Sequence, residues 1–281
     1  MKKIAFAIVK FYFTVFSKIF PNFTAKQALS LFQKPSRRPY KDNEIAFYNK
    51  AKHYKLNYSE EALDVYELGS ENKKLVFLVH GWGSNLGRLS KIAFKLEDEG
   101  FRVVGINFPA HGNSKLKKTN MVFSKNAFVN LVQHVNPLKP FSIVSHSFGS
   151  SVSALSMKEL GLEVNSLVFL TSANKTSEIF LDYKKLINLS NKSFEILLKM
   201  SEEKVKIDFM KLNIEDVLQD VNYKQMVVVH DKFDKMLPYH YATEIASKAK
   251  NCELMTLENK GHSGMLFEQI VIDKVLEYCQ K

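Results

Sequence analysis

Short apolar runs alternate with longer helical segments from about residue 53 to the end of this 281-residue chain. Runs such as 75–79, 167–170 and 226–229 contain only apolar side chains, which is typical of strands buried on both faces of a sheet. Two earlier runs, at 52–59 and 62–70, alternate with period two and predict an antiparallel hairpin. Strands separated by helices predict an α/β fold with a mostly parallel central sheet flanked by helices.

Residues 175–224 break this alternation, because they carry helical stretches rich in Lys, Ser and Asn between two predicted strands. This pattern predicts a small helical cap that is inserted into the α/β core. The core then consists of residues 42–174 and 225–281. Residues 1–41 precede it as an N-terminal extension.

A serine lies at a predicted turn between an apolar strand and a helix, in the segment Ser145-His146-Ser147-Phe148-Gly149. A serine at the centre of such a turn projects its hydroxyl above the edge of the sheet, and the N-terminus of the following helix favours developing negative charge. Small residues two before and two after Ser147 let strand, turn and helix approach closely. The alternative is that Ser147 only caps the helix, which is a common role for serine.

Two further residues with catalytic chemistry follow later predicted strands. A serine hydroxyl is a weak nucleophile unless a histidine takes its proton and an acid orients that histidine. Asp234 lies in the loop after one apolar run, and His262 lies in a glycine-flanked loop after the next predicted strand. Ser147, Asp234 and His262 are therefore the predicted catalytic triad. Asp231, three residues before Asp234, is the alternative acid.

These motifs make the chain similar to members of the α/β-hydrolase superfamily, on its serine esterase and lipase-like branch. The resemblance covers roughly residues 60–281 and includes the chain order Ser, Asp, His that is usual in this fold. LVHGWGSN at 78–85 resembles the loop of the family's oxyanion hole, and NFPAHGNS at 107–114 resembles the family's D-x-P-G-H-G-x-S turn. The resemblance implies the α/β-hydrolase fold. Departures from the family's pattern occur at Ser145, Asn107, Ala110 and Asp231.

The resemblance also implies roles for residues outside the triad. The backbone N–H groups of Trp82 and Phe148 would hold the oxyanion that develops during the reaction. His80 and Trp82 are candidates for lining the substrate pocket. A histidine in a glycine-flanked turn is more often a structural hydrogen-bonding group, however, and a lone tryptophan could equally belong to the core.

The net charge of +11, from 40 Lys and Arg against 29 Asp and Glu, is concentrated at one end of the chain. Residues 1–41 carry nine basic residues and no acidic one, so the remaining chain is nearly neutral. Because no recognition motif accompanies this charge, we do not expect nucleic-acid binding. Two cysteines, Cys252 and Cys279, are too few for a disulfide framework or a cysteine-rich zinc site, and metal or nucleotide motifs are missing. We therefore expect neither a metal nor another cofactor.

Residues 1–20 combine a basic start with a long aromatic and aliphatic stretch. On a helical wheel the polar and basic side chains form one narrow stripe, namely Lys3, Lys10, Thr14, Ser17 and Lys18. Three interpretations stay open: a helix in a membrane interface with its lysines at anionic headgroups, a helix packed on the protein or a partner, and a signal or anchor segment. Pro21 is expected to end this helix, and Thr24 is expected to cap the next one.

Together these features predict a serine hydrolase that cleaves a carboxylic ester or thioester through an acyl-enzyme intermediate. Its expected partner is a small-molecule ester. Its expected location is the cytoplasm, either free or peripheral to the inner face of the membrane through residues 1–20. The alternatives are a non-catalytic binding protein with the same fold and a hydrolase of the same superfamily that cleaves an amide or a carbon–carbon bond.

Overall fold

The computed structural model describes residues 2–59 and 61–281. Their α-helices are, in chain order, α1 Lys2–Ile19, α2 Pro21–Phe32, α3 Asp42–Lys50, α4 Ser90–Asp98, α5 Met121–Val135, α6 Phe148–Leu160, α7 Thr176–Ile187, α8 Asn191–Val205, α9 Ile214–Val217, α10 His240–Lys248 and α11 Gln269–Gln280. Their strands are β1 Lys52–Leu56, β2 Leu63–Leu68, β3 Leu75–Val79, β4 Arg102–Ile106, β5 Phe141–Ser147, β6 Val164–Ser172, β7 Tyr223–Asp231 and β8 Cys252–Leu257.

The chain divides into two compact units. The residues up to Lys34 together with Lys175–Asn213 form the helical unit, and Pro35–Asn174 together with Ile214–Lys281 form the sheet unit. The helical unit contains α1, α2, α7 and α8, whereas all the strands named above belong to the sheet unit.

Within the described residues, the strands of the sheet unit form one eight-stranded sheet in the order β1-β2-β4-β3-β5-β6-β7-β8. β1 pairs antiparallel with β2, and β2 pairs antiparallel with β4. The remaining neighbours pair parallel. This sheet confirms the predicted opening hairpin and the predicted mostly parallel arrangement.

The core of the sheet unit consists of aliphatic side chains from neighbouring strands and from the helices that flank them. Val76, Val144, Val168 and Val227 are fully buried in one cluster. The flanking helices α4 and α11 add Ile92, Ala93, Leu96, Val271, Ile272 and Val275 to this cluster. Burial of one such side chain contributes about 1.5–3 kcal/mol to the free energy of unfolding. The cluster therefore holds the strands in place, and with them the loops at the strand ends.

Strands β5, β6, β7 and β8 are consecutive parallel neighbours, so their carboxyl ends share one edge of the sheet. Loops at this edge are where α/β proteins assemble their binding sites. β5 ends at Ser147, and the loops after β7 and β8 carry Asp234 and His262. The topology therefore brings these three residues to one edge, although more than 100 positions of the sequence separate Ser147 from His262.

The helical unit has a core of its own. Its buried side chains come from α1 and α2 and from the segment that contains α7 and α8. They are Phe13, Ala25, Ala28, Leu29, Phe180, Ile187, Leu189, Phe194, Leu197 and Phe209. Helices that the sequence assigned to an extension and to a cap thus share one hydrophobic core. The predicted boundaries at residues 41, 174 and 224 stay predictions.

The break between the first two helices lies at Pro21. α1 ends at Ile19, and α2 begins at Pro21, a position where the missing N–H of proline has no cost. The predicted cap at Thr24 is wrong, because Thr24 lies inside α2 and its hydroxyl donates to the carbonyl of Phe20 at 2.8 Å. In the described part of the chain, no helix is both long enough and apolar enough to span a bilayer.

Candidate active site

Ser147 ends β5 with φ +55° and ψ −122°, a backbone conformation that L-residues rarely adopt. Strain of this kind costs on the order of 1–3 kcal/mol and is often found at functional sites. Phe148 begins α6 directly afterwards, so the serine lies at the tip of a strand-to-helix turn. Gly149 lets the turn pack against the end of β3, since a Cβ there would lie 2.6 Å from the carbonyl oxygen of Val79 and 2.7 Å from that of His80.

The tight packing at Gly149 yields a stability prediction. Gly149→Ala is expected to lower the free energy of unfolding by about 1–3 kcal/mol, because the added methyl group meets backbone that cannot move away. Gly264→Ala is the matched control, since a Cβ at Gly264 meets no atom within 4 Å. Urea unfolding followed by circular dichroism measures both. Equal unfolding free energies for the two variants would contradict the packing described here.

Ser147, His262 and Asp234 form a continuous hydrogen-bonded chain. The Nε2 atom of His262 lies 3.0 Å from Oγ of Ser147, and its Nδ1 atom lies 2.8 Å from Oδ2 of Asp234. Because a carboxylate can only accept, Nδ1 carries the proton, and Nε2 is left free to accept the serine proton. The other carboxylate oxygen of Asp234 accepts the backbone N–H groups of Met236 and Leu237 at 2.7 and 3.2 Å.

Asp234 stays ionised although its side chain is inaccessible to solvent. Burial by itself would raise the pKa of this carboxyl. The hydrogen bond and the charge of His262, followed by the backbone donors of Met236 and Leu237, outweigh burial and lower the pKa. The buried negative charge is suited to stabilise a histidine that becomes cationic during a reaction.

Asp231, the alternative acid, makes different contacts. Its carboxylate accepts the backbone N–H of Phe233 at 2.8 Å, that of Gly261 at 3.0 Å and that of Lys260. It therefore links the loop that carries Asp234 to the loop that carries the histidine. Burial would raise the pKa of Asp231, but these three N–H donors outweigh burial and lower it. The geometry brings Asp234, and not Asp231, to the imidazole.

The lowered pKa of Asp231 predicts an acid-sensitive fold. Because the folded-state pKa lies below the usual value of 3.8, the carboxylate stabilises the fold above that value, and the contribution is lost as the pH falls through the folded-state pKa. We expect the melting temperature to change little through this group from pH 7 down to the usual value of 3.8 and to drop as the pH falls below that value. Asp231→Asn should lower the melting temperature at neutral pH and flatten this dependence. An unchanged pH profile in the variant would contradict the role of Asp231 as the loop link.

The two candidate oxyanion donors lie beside the serine. Phe148 is the first residue of α6, where a backbone N–H has no intrahelical carbonyl to bind. Trp82 lies in the turn after β3, and this turn touches the serine, since a Cβ added to Gly81 would come within 3.2 Å of Cβ of Ser147. The rings of Trp82 and Phe148 meet edge to face, with centroids 5.2 Å apart.

A buried polar anchor holds the loop that carries Trp82. Oδ1 of Asn107 accepts the backbone N–H of Leu86 at 2.8 Å and the hydroxyl of Tyr48 at 3.1 Å. The same hydroxyl accepts the N–H of Gly87 at 3.2 Å. The sequence did not reveal Tyr48, which lies in the unpredicted helix α3. Asn107, which stands where the family usually has an acid, serves here as a loop acceptor.

His80 is buried, and both of its ring nitrogens bind backbone groups. Nε2 accepts the N–H of Phe108 at 3.0 Å, so Nδ1 carries the proton and donates to the carbonyl of Gly81 at 2.8 Å. Burial, followed by the nearby His111, lowers the pKa of His80 well below its usual value, which keeps the ring neutral. A substrate would therefore find no free ring nitrogen on His80. Trp82, the other predicted pocket residue, is 36% exposed.

His146, next to the serine, contacts the histidine loop. Its Nε2 atom donates to the backbone carbonyl of His262 at 2.9 Å, and the two rings lie 4.9 Å apart. Burial lowers the pKa of His146 to about 3, so the ring is neutral. Nothing in the sequence reveals this hydrogen bond, because the two residues are 116 positions apart.

Comparisons with known proteins agree with this fold. A family described as serine aminopeptidase, S33, matches residues 70–254. A protein of Mycoplasma genitalium that carries the name esterase/lipase 2 is 27% identical over 117 residues, which are 40% of this chain and 43% of that protein. The match thus spans less than half the length of this relative.

Solved structures share the architecture at low sequence identity. Est1E from Butyrivibrio proteoclasticus, solved with ferulic acid, has a TM-score of 0.64 and 17% identity, covering 81% of this chain and all of that one. A membrane phospholipase A, described as a bacterial virulence factor, has a TM-score of 0.61 and 15% identity, covering 98% of this chain and 99% of that one. The predicted α/β-hydrolase fold is confirmed. Since the family match extends over more than half of the residues, the chain belongs to the serine aminopeptidase family of the α/β-hydrolase superfamily.

Proposed function

We propose that this protein is a serine hydrolase that cleaves a carboxylic ester or thioester with Ser147, His262 and Asp234. One observation carries the proposal: the imidazole of His262 lies 3.0 Å from the serine oxygen on one side and 2.8 Å from the Asp234 carboxylate on the other. The first distance lies within the range that proton transfer from a nucleophile to a general base requires, and the second is that of a hydrogen bond that orients the base.

The first half of the reaction forms an acyl-enzyme. Oγ of Ser147 attacks the carbonyl carbon of the substrate while Nε2 of His262 takes the serine proton. The carbonyl oxygen becomes an oxyanion, which the backbone N–H groups of Trp82 and Phe148 stabilise. One such donor typically raises kcat by a factor of about 10²–10³. The C–O or C–S bond then breaks, and the leaving alkoxide or thiolate takes the proton from Nε2.

The second half releases the acid product. Nε2 of His262 removes a proton from water, and the resulting hydroxide attacks the acyl-enzyme carbonyl at the same oxyanion site. The bond to Oγ of Ser147 breaks, and the serine oxygen recovers its proton from the imidazolium. Asp234 orients the ring and stabilises its positive charge in both halves.

Relatives favour an ester over other substrates. The name of the Mycoplasma protein designates an esterase or lipase. The family description, in contrast, designates an aminopeptidase, so cleavage of an amide is the second candidate. The triad chemistry serves both bonds, and the difference lies in the leaving group that His262 must protonate.

A matched substrate panel tests the proposal. We expect p-nitrophenyl esters of rising acyl chain length to be hydrolysed, and the corresponding p-nitroanilides and alanine p-nitroanilide to be hydrolysed far more slowly. Faster cleavage of the anilides would replace the ester proposal with the amide one. No turnover of any substrate, together with no labelling by a fluorophosphonate, would support the non-catalytic alternative.

We also propose that the protein is peripheral to the inner face of the membrane and attaches through residues 1–20. The concentration of nine basic residues without an acidic one in residues 1–41 supports this location. The name of the structurally similar membrane phospholipase A makes a phospholipid acyl ester a further substrate worth including in the panel.

A further inference from the structure

The hydroxyl groups of α1 are turned toward the other helices of the helical unit. Ser17 is fully buried, and its hydroxyl accepts the backbone N–H of Ser190 at 2.9 Å. Its carbonyl accepts the hydroxyls of Ser190 and Ser193 at 2.7 and 2.8 Å. One turn earlier, the hydroxyl of Thr14 accepts the side-chain amide of Asn188 at 3.1 Å. Phe13 lies beside these contacts and is 4% exposed.

The opposite side of α1 is apolar and open to solvent. Five side chains at helical spacing form what we name the apolar stripe: Ile4, Ile8, Phe11, Val15 and Ile19. Four of them are at least 60% exposed, namely Ile4 at 67%, Ile8 at 63%, Phe11 at 69% and Ile19 at 60%. The stripe is about 22 Å long at 1.5 Å per residue. Beyond it, Phe20 and Phe23 are more than half exposed.

A helix on the surface of a water-soluble unit usually keeps its apolar side inward and its polar side toward solvent. In α1, Phe13 packs inward together with the hydroxyls of Ser17 and Thr14, but large apolar groups also cover the exposed side. An exposed contiguous apolar surface of this size marks a binding surface. The apolar stripe of α1 is therefore available to bind a partner outside the helical unit.

The charges around the apolar stripe indicate which kind of partner it binds. Lys10, Lys18 and Lys26 are exposed on α1 and α2, and residues 1–41 contain no acidic group that would compensate them. A second copy of α1 would bring like charges together. A surface of anionic lipid headgroups supplies both the opposite charge for the lysines and an apolar layer for the stripe.

We propose that α1 and the start of α2 lie along an anionic bilayer surface, with the apolar stripe buried among the acyl chains and the hydroxyl side docked on α7 and α8. The inference rests on the peripheral location proposed above and specifies its lipid class and its contact face. The membrane contact is then part of a folded helical unit, and not a free tail.

Vesicle sedimentation of the full chain tests this surface. The wild type is expected to sediment with phosphatidylglycerol vesicles and not with phosphatidylcholine vesicles. A triple variant of the stripe, Ile8→Ser, Phe11→Ser and Ile19→Ser, is expected to bind about tenfold or more weakly, because its apolar area no longer enters the bilayer. Lys10→Glu with Lys18→Glu should weaken binding to the anionic vesicles as well.

The matched control is a triple variant of exposed apolar residues in the sheet unit, Ile45→Ser, Leu138→Ser and Ile270→Ser, which should bind like the wild type. Circular dichroism and turnover of a water-soluble p-nitrophenyl ester report folding and the hydrolase proposal separately from binding. Undiminished binding of the stripe variant would overturn the contact face. If the wild type does not bind anionic vesicles, both the contact face and the membrane location are wrong. The same conclusion follows if analytical ultracentrifugation shows a dimer of the wild type that is lost in the stripe variant and kept in the control variant.

Discussion

Ser147→Ala is expected to abolish ester hydrolysis. Loss of the nucleophile in a serine triad lowers kcat by a factor on the order of 10⁴–10⁶, because the acyl-enzyme can no longer form. Initial rates with the best p-nitrophenyl ester measure this loss. A fluorophosphonate, which reacts only with an activated serine, should label the wild type and leave the variant unlabelled.

Ser151→Ala provides the matched control for Ser147→Ala. Ser151 is also buried near the start of α6, but its hydroxyl donates to the carbonyl of Ala173 at 3.3 Å. Its variant should keep both labelling and turnover. Retained turnover in Ser147→Ala, or loss of labelling in Ser151→Ala alone, would rule out Ser147 as the nucleophile.

Asp234→Asn is expected to lower kcat by about 10⁴ with little change in KM, because an amide in this position favours the wrong tautomer of the neighbouring histidine. The structure gives the physical reason, since the carboxylate accepts a hydrogen bond from the Nδ1–H group of His262 at 2.8 Å. Stopped or continuous p-nitrophenyl ester assays at neutral pH, with kcat and KM determined separately, measure the effect.

Asp231→Asn is the comparison that decides between the two acids. Asp231 binds backbone N–H groups of the two loops, so its variant should lose stability and keep far more of its kcat than Asp234→Asn. If Asp231→Asn loses activity as completely as Asp234→Asn while remaining folded, the assignment of the acid to Asp234 is wrong.

Much of the sheet unit could be predicted, because its signals are local. Apolar strand runs predict a parallel sheet, and residues just beyond the carboxyl ends of parallel strands must meet at one edge. The positions of Ser147, Asp234 and His262 in the sequence were therefore sufficient to predict that they lie close together. Ala110 illustrates a local departure: the glycine of the family pattern is missing, yet Ala110 keeps a left-handed φ of +66°.

The remaining features depend on contacts that span the sequence. Tyr48 reaches the loop of the candidate oxyanion hole from a helix 37 residues upstream of its partner Asn85, and no spacing rule relates the two. The direction in which α1 faces was also beyond the sequence pattern. A helical wheel gives two sides of a helix, whereas the hydroxyls of Ser190 and Ser193 determine which side is packed.

The turn at Ser147 owes its shape to the backbone. The carbonyls of Val79 and His80 approach Gly149 closely, and neither contact involves the serine hydroxyl. Removing that hydroxyl therefore leaves the turn, the neighbouring backbone donors and the imidazole in place. The Ser147→Ala protein can in consequence serve as a trap that retains an uncleaved ester long enough for the bound molecule to be identified by mass spectrometry.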